Sequence, residues 1–155
     1  MPKRAHLTAG ILALLCLAAF FVSTVIVELF GSAAAVARVK ALIVTPGLWI
    51  MIPAMAAVGG SGNFLGKRRK GRLVDAKTKR MAFIAANGLL VLVPCAIVLN
   101  RWAAAGAFDA SFYAVQAIEL LAGATNFMLM GLNFRDGLRL AGRIRVVRAS
   151  PPIAG

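Results

Sequence analysis

The chain carries one histidine, two cysteines and a single tyrosine in 155 residues, and these scarcities exclude several chemistries at the outset. With His6 alone, a transmembrane haem gripped by two imidazoles of one chain is impossible. Cys16 and Cys95 lie far from any CxxC spacing, so no zinc or thioredoxin-type motif is present and both thiols read as small packing residues. Acidic groups are also few: five Asp and Glu against 18 Lys and Arg, a net charge of +13. No constellation of residues earns a catalytic or metal-binding role.

A polar outer face is missing too. Hydrophobic residues make up 61% of the chain, above the roughly 45–50% apolar usage of soluble domains. Four apolar stretches, Leu7–Val27, Ala41–Val58, Met81–Leu99 and Ser111–Asn133, each match the ~20 residues needed to cross ~30 Å of hydrocarbon. None alternates polar with apolar, which removes a barrel and leaves helices as the only backbone that satisfies itself in lipid. A soluble four-helix bundle would need amphipathic helices, whereas Leu7–Val27 is apolar on every side but for Ser23 and Thr24. Lys3, Arg4 and the small residues from Ser32 to Ala35 have the outline of a signal peptide, yet the apolar run exceeds the ~7–15 residues of such a core and Glu28 interrupts it. The expected fold is all-α: one membrane domain of four transmembrane helices in an up-down bundle.

Charge sets the expected orientation. Of the 18 Lys and Arg, only Arg38, Lys40 and Arg101 fall in the segments after the first and third spans. The remainder flank the N-terminus, fill a basic loop over residues 61–80 and follow helix 4 in a tail over residues 134–155. Short loops with this bias place both termini in the cytoplasm, here of a bacterial inner membrane. The same distribution accounts for the net charge without a nucleic-acid partner. Lys67, Arg68, Arg69, Lys70 and Arg72 are the candidate contacts to anionic headgroups or to an acidic partner surface.

Glycines at 59, 60, 62 and 66 invite comparison with phosphate-binding loops, but the spacing fails. GxxxxGK[ST] needs Gly where Ser61 stands and Ser or Thr where Arg68 stands. A helix ending in glycine is the better reading. Helix 3 is expected to start before the membrane near Leu73, with Asp75 and Lys79 paired at i, i+4. Helix 4 is expected to run on past the membrane through Arg135 and Arg139.

Helix 4 carries the most informative pattern. Gln116, Glu119, Gly123, Asn126, Met130 and Asn133 recur at alternating steps of three and four, which holds them on one face. In hydrocarbon that face must turn into the bundle. A carboxyl at that depth is stable either neutral or met by a cation, for which Arg101 at the outer end of helix 3 is the nearest candidate. Glutamine at 119 is expected to be tolerated and lysine not. Asn126 and Asn87 lie at matching depths, about 10 Å from the cytoplasmic boundary, and can exchange amide hydrogen bonds. Ser23, Thr24 and Thr45 complete the expected polar track near Glu119. Pro46, Pro53 and Pro94 each remove a backbone donor and are candidate kinks.

With four spans and His6 at the start of the first, the chain resembles in outline small four-helix bacterial membrane families, haem-binding and haem-pathway proteins among them. That outline implies a haem ligand at His6. Two functional expectations result: a non-enzymatic accessory, assembly or ligand-binding membrane component, alone or within an oligomer or larger complex, and a haem-handling redox protein using His6.

Overall fold

A computed structural model describes residues 2–66 and 72–140 of the chain, and every described element is helical. Helix α1 runs Pro2–Phe30 and is followed, after Gly31 and Ser32, by α2 at Ala33–Leu42. A wide π-helical turn, Ile43–Leu48, leads into α3 at Trp49–Gly66. Helix α4 covers Arg72–Asn87, a second π-helical turn covers Gly88–Leu92, and α5 covers Val93–Ala104. Helix α6 extends from Ala110 to Leu140.

These elements form four segments long and apolar enough to cross a membrane: His6–Phe30, Ala33–Gly62, Asp75–Ala104 and Ala110–Arg139. The second begins eight residues earlier than the apolar run at Ala41, because α2 carries Arg38 and Lys40 into the helix. Ser32 makes this possible: in extended geometry it accepts a hydrogen bond from Ala35 N–H at 3.3 Å and caps α2. Its own carbonyl accepts from Val36 N–H at 3.0 Å, while Gly31 N–H bonds back to Val27 O. Two residues thus turn one helix into the next.

Pro53 lies inside α3, whereas Pro46 and Pro94 fall where a missing donor can be absorbed. Pro46 lies in the first π-helical turn, and Thr45 before it leaves helical geometry at φ −139°, ψ 114°, as the restricted residue before a proline does. Gly47 is required beside it, since an added Cβ would lie 2.6 Å from Phe20 of α1. Pro94 falls in the first turn of α5, directly after the second π-helical turn, where its absent N–H costs least. Helix α5 stops at Ala104, and Gly106 just beyond it, with φ 70°, permits Ala107 N–H to reach Trp102 O at 2.9 Å. Asp109 caps α6 through Phe112 N–H at 3.0 Å.

Packing is inverted relative to a soluble protein. Leu15, Trp49, Leu90, Leu121 and Met128 are each more than half exposed, whereas Thr24, Lys40, Gln116, Asn126, Asn133 and Asp136 are buried. Exposed apolar surface on this scale is stable only against lipid or another apolar partner. An apolar cluster of Val36, Leu99, Ala103 and Phe112 joins α2, α5 and α6, with Phe108 and Tyr113 edge-on to Phe112.

Candidate functional site

The polar face of α6 is turned inward along its length: Gln116, Asn126 and Asn133 are 3%, 1% and 8% exposed. Three groups of contacts are strung along it.

At one end Lys40 Nζ donates to Glu119 Oε2 at 2.5 Å, with the Lys40 side chain 0% and the Glu119 side chain 13% exposed. Gln116 Nε2 donates to the same carboxylate oxygen at 3.2 Å. Glu28, near the end of α1, lies within electrostatic reach of both Lys40 and Glu119, and its Oε1 is buried without a hydrogen-bond partner. Gln116 Oε1 is likewise buried without one. The cation proposed from sequence, Arg101, is instead exposed and forms no ion pair with Glu119. The physical reason is reach: α2 packs against α5 and α6 and carries Lys40 directly to the carboxylate, whereas Arg101 points outward from the last turn of α5. Thr24 is buried and faces the same interior space as Glu119, Ser23 bonds to Phe20 O, and Thr45 is exposed at the break in span 2 and so stands apart from the track.

In the middle, Asn87 Nδ2 donates to Asn126 Oδ1 at 2.9 Å and to Ala122 O at 3.0 Å. Asn126 Nδ2 returns a hydrogen bond to Ile84 O at 3.2 Å. The two amides join α4 to α6 and give both the oxygen and the nitrogen of the Asn126 side chain a partner, as a buried amide away from water requires.

At the other end Arg80 bridges to α6, donating to Asn133 Oδ1 at 3.2 Å and to Asp136 Oδ2 at 2.8 Å. Asp136 is 1% exposed and also has Arg135 and Arg139 within 3.6 and 3.9 Å. Sequence reasoning missed this group, because Arg80 and Asp136 read as members of a basic loop and tail.

His6 Nδ1 lies 2.8 Å from Ser61 Oγ, tying the first turns of α1 to the last of α3. Its ring packs over Gly62, where an added Cβ would be 3.3 Å from His6 Cε1 and 3.6 Å from Met81 Sδ. Cys16 and Cys95 are free thiols. Of the basic-loop residues, Lys67, Arg68, Arg69 and Lys70 lie outside the described residues, as does the tail beyond Leu140; Arg72 opens α4.

A cavity of about 300 Å³ occupies the bundle among all four spans. Its wall is apolar, with Phe20, Phe21, Met55 and Leu92 prominent, and only Thr24, Glu119 and Asn126 bring polar atoms to it. Ile52 and Leu89, which also line it, remain 43% and 59% exposed, so the cavity opens sideways between α3 and the second π-helical turn. His6 is not part of its wall. Comparison with protein-family models, curated proteins and solved structures finds no match to this chain.

Proposed function

We propose that this chain is a non-enzymatic, multi-pass component of a bacterial inner membrane that binds an apolar molecule entering its bundle from the bilayer. The carrying observation is the laterally open cavity, whose volume lies at the lower end of the ~300–1,000 Å³ of small-molecule sites. A chain of methylene or isoprenoid units fits an apolar wall of this kind, and Thr24 and Glu119 offer hydrogen bonds to a polar head. The polar track fixes the register of the helices around that space.

The orientation follows the charge asymmetry. With Lys40 neutralised inside the bundle, Arg38 and Arg101 are, among the described residues, the cations left without an ion pair after spans 1 and 3, which favours both termini in the cytoplasm. Two end contacts support an up-down arrangement: His6 with Ser61 joins the start of span 1 to the end of span 2, and Arg80 with Asp136 joins the start of span 3 to the end of span 4.

The test is to purify the chain in mild detergent, extract it with organic solvent and identify what was carried by mass spectrometry. An apolar molecule near one per chain is expected, lost severalfold in Ala56→Phe and Ala85→Phe, which crowd exposed positions of the cavity wall. Absence of any such molecule, or its full retention in both variants, overturns the reading. A visible spectrum belongs to the same experiment: a Soret band abolished by His6→Ala would transfer the assignment to haem binding at His6, which is tied to Ser61 and lies outside the cavity wall.

A further inference from the structure

One cation of the described residues is drawn into the fold without a carboxylate in ion-pair contact. Lys77 of α4 is half-buried, and its Nζ rests over Gly137 of α6, where an added Cβ would lie 3.2 Å away. No ion pair reaches it among the described residues. One turn along α4 stands Arg80, while on α6 Arg135 directly precedes Asp136 and Arg139 follows Gly137 by two residues. Lys77, Arg80, Arg135 and Arg139 therefore gather at the α4–α6 seam around the single carboxylate of Asp136. Asp136 already accepts Arg80 at 2.8 Å, and at 3.6 and 3.9 Å the other two arginines are held near it without good hydrogen bonds. Arg135 and Arg139 keep side chains 50% and 36% exposed, so both retain free donors facing outward. The cluster holds three more positive charges than negative ones, at one end of two membrane spans.

Such an excess is self-repelling unless an anion joins it. A phosphodiester fits the chemistry: fixed guanidinium forks and a half-buried ammonium are donors only, and paired arginines bind phosphate oxygens in a planar, directional way. The anion's source is argued from what lies next along the same helix faces. Phe83, one turn above Arg80, is 53% exposed, and Met128, two turns before Arg135, is 67% exposed. A phosphate at this seam would thus have apolar side chains beside it on the membrane side, as a lipid with acyl chains requires. Basic pockets between transmembrane helices on the cytoplasmic side are known to take anionic headgroups.

We infer that the α4–α6 seam is a binding site for the phosphate of an anionic membrane lipid, held by Lys77, Arg135 and Arg139 while Arg80 stays committed to Asp136. None of its residues belongs to the basic segment at residues 67–70. It rests on the membrane location of the proposed function and is independent of the cavity.

The test uses the full chain, extracted in mild detergent and washed to a constant lipid content, with bound lipids counted by mass spectrometry. The parent should retain an anionic phospholipid, and its melting temperature should rise on transfer from phosphatidylcholine vesicles to vesicles containing phosphatidylglycerol. Lys77→Gln with Arg139→Gln should lower retention about tenfold or more, as neutralising two headgroup contacts predicts, and should abolish the rise. The charge-preserving pair Lys77→Arg with Arg139→Lys should keep both, which separates a lost site from a damaged fold. Neutralising Lys67, Arg68, Arg69 and Lys70 together should leave the retained lipid in place. Inorganic phosphate at matched ionic strength should stabilise no better than chloride. The inference is overturned if the glutamine pair retains the lipid, if the charge-preserving pair loses it, if only the loop variant loses it, or if free phosphate stabilises equally. An apolar molecule in the cavity alongside such a result would refute this site alone.

Discussion

Removing the ammonium of Lys40 should be the most damaging single change in the bundle interior. In Lys40→Met the Glu119 carboxylate keeps only the Gln116 amide, and Glu28 adds a second negative charge within reach. Breaking a buried pair by deleting one partner costs about 3–5 kcal/mol, because the other charge is left uncompensated away from water. For a chain of this size each kcal/mol moves the melting temperature by about 2–4 °C, so a fall of about 6–20 °C is expected. The reverse deletion, Glu119→Leu, should be milder, since Glu28 remains to neutralise Lys40. The double variant Lys40→Met with Glu119→Leu removes both desolvation penalties and should melt near the parent or above it. Thermal melts in one detergent close the cycle, and a coupling of at least about 2 kcal/mol is expected for residues in direct contact. Two single variants that each melt within about 2 °C of the parent would refute the reasoning, as would penalties that simply add.

Three further outcomes follow from the same contacts. Asn126→Leu removes the hydrogen bonds to Asn87 and Ile84 and should cost about 1–2 kcal/mol, at about 0.6 kcal/mol or more per interhelical bond, read from a melting curve. Arg80→Gln leaves Asp136 with the two more distant arginines and should cost about 1–3 kcal/mol, whereas Asp136→Asn with Arg80→Gln together should recover part of that loss by melting temperature. Glu119→Lys sets a second ammonium against Lys40 and should abolish accumulation in the membrane fraction, which immunoblotting measures directly.

Much of the architecture is written in residue type alone. Four apolar runs separated by basic or small residues announce four spanning helices, and steps of three and four along Gln116, Glu119, Asn126 and Asn133 announce the buried face of α6. The contact of Asn87 with Asn126 also follows from counting residues from a common boundary. The cation opposite Glu119 does not. Lys40 stands between two apolar runs, where a lysine looks like part of a loop, and only the cap at Ser32 reveals that α2 has already begun. Arg101 was the plausible nominee by depth, but depth says nothing of direction, and its side chain faces out. Arg80 and Asp136, 56 residues apart in the chain, are joined by the packing of α4 on α6, which no local pattern encodes.

The corner at Gly31 and Ser32 works as a ruler. With so little chain between them, α1 and α2 have no slack, so the height at which Lys40 meets α6 is measured out from the turn by whole residues. One residue added to α2 ahead of Lys40 would lift its ammonium by about 1.5 Å and swing it about 100° around the helix, from the bundle's interior toward oil. The length of that first stretch of α2 is therefore as much a part of the charge pair as the two side chains themselves.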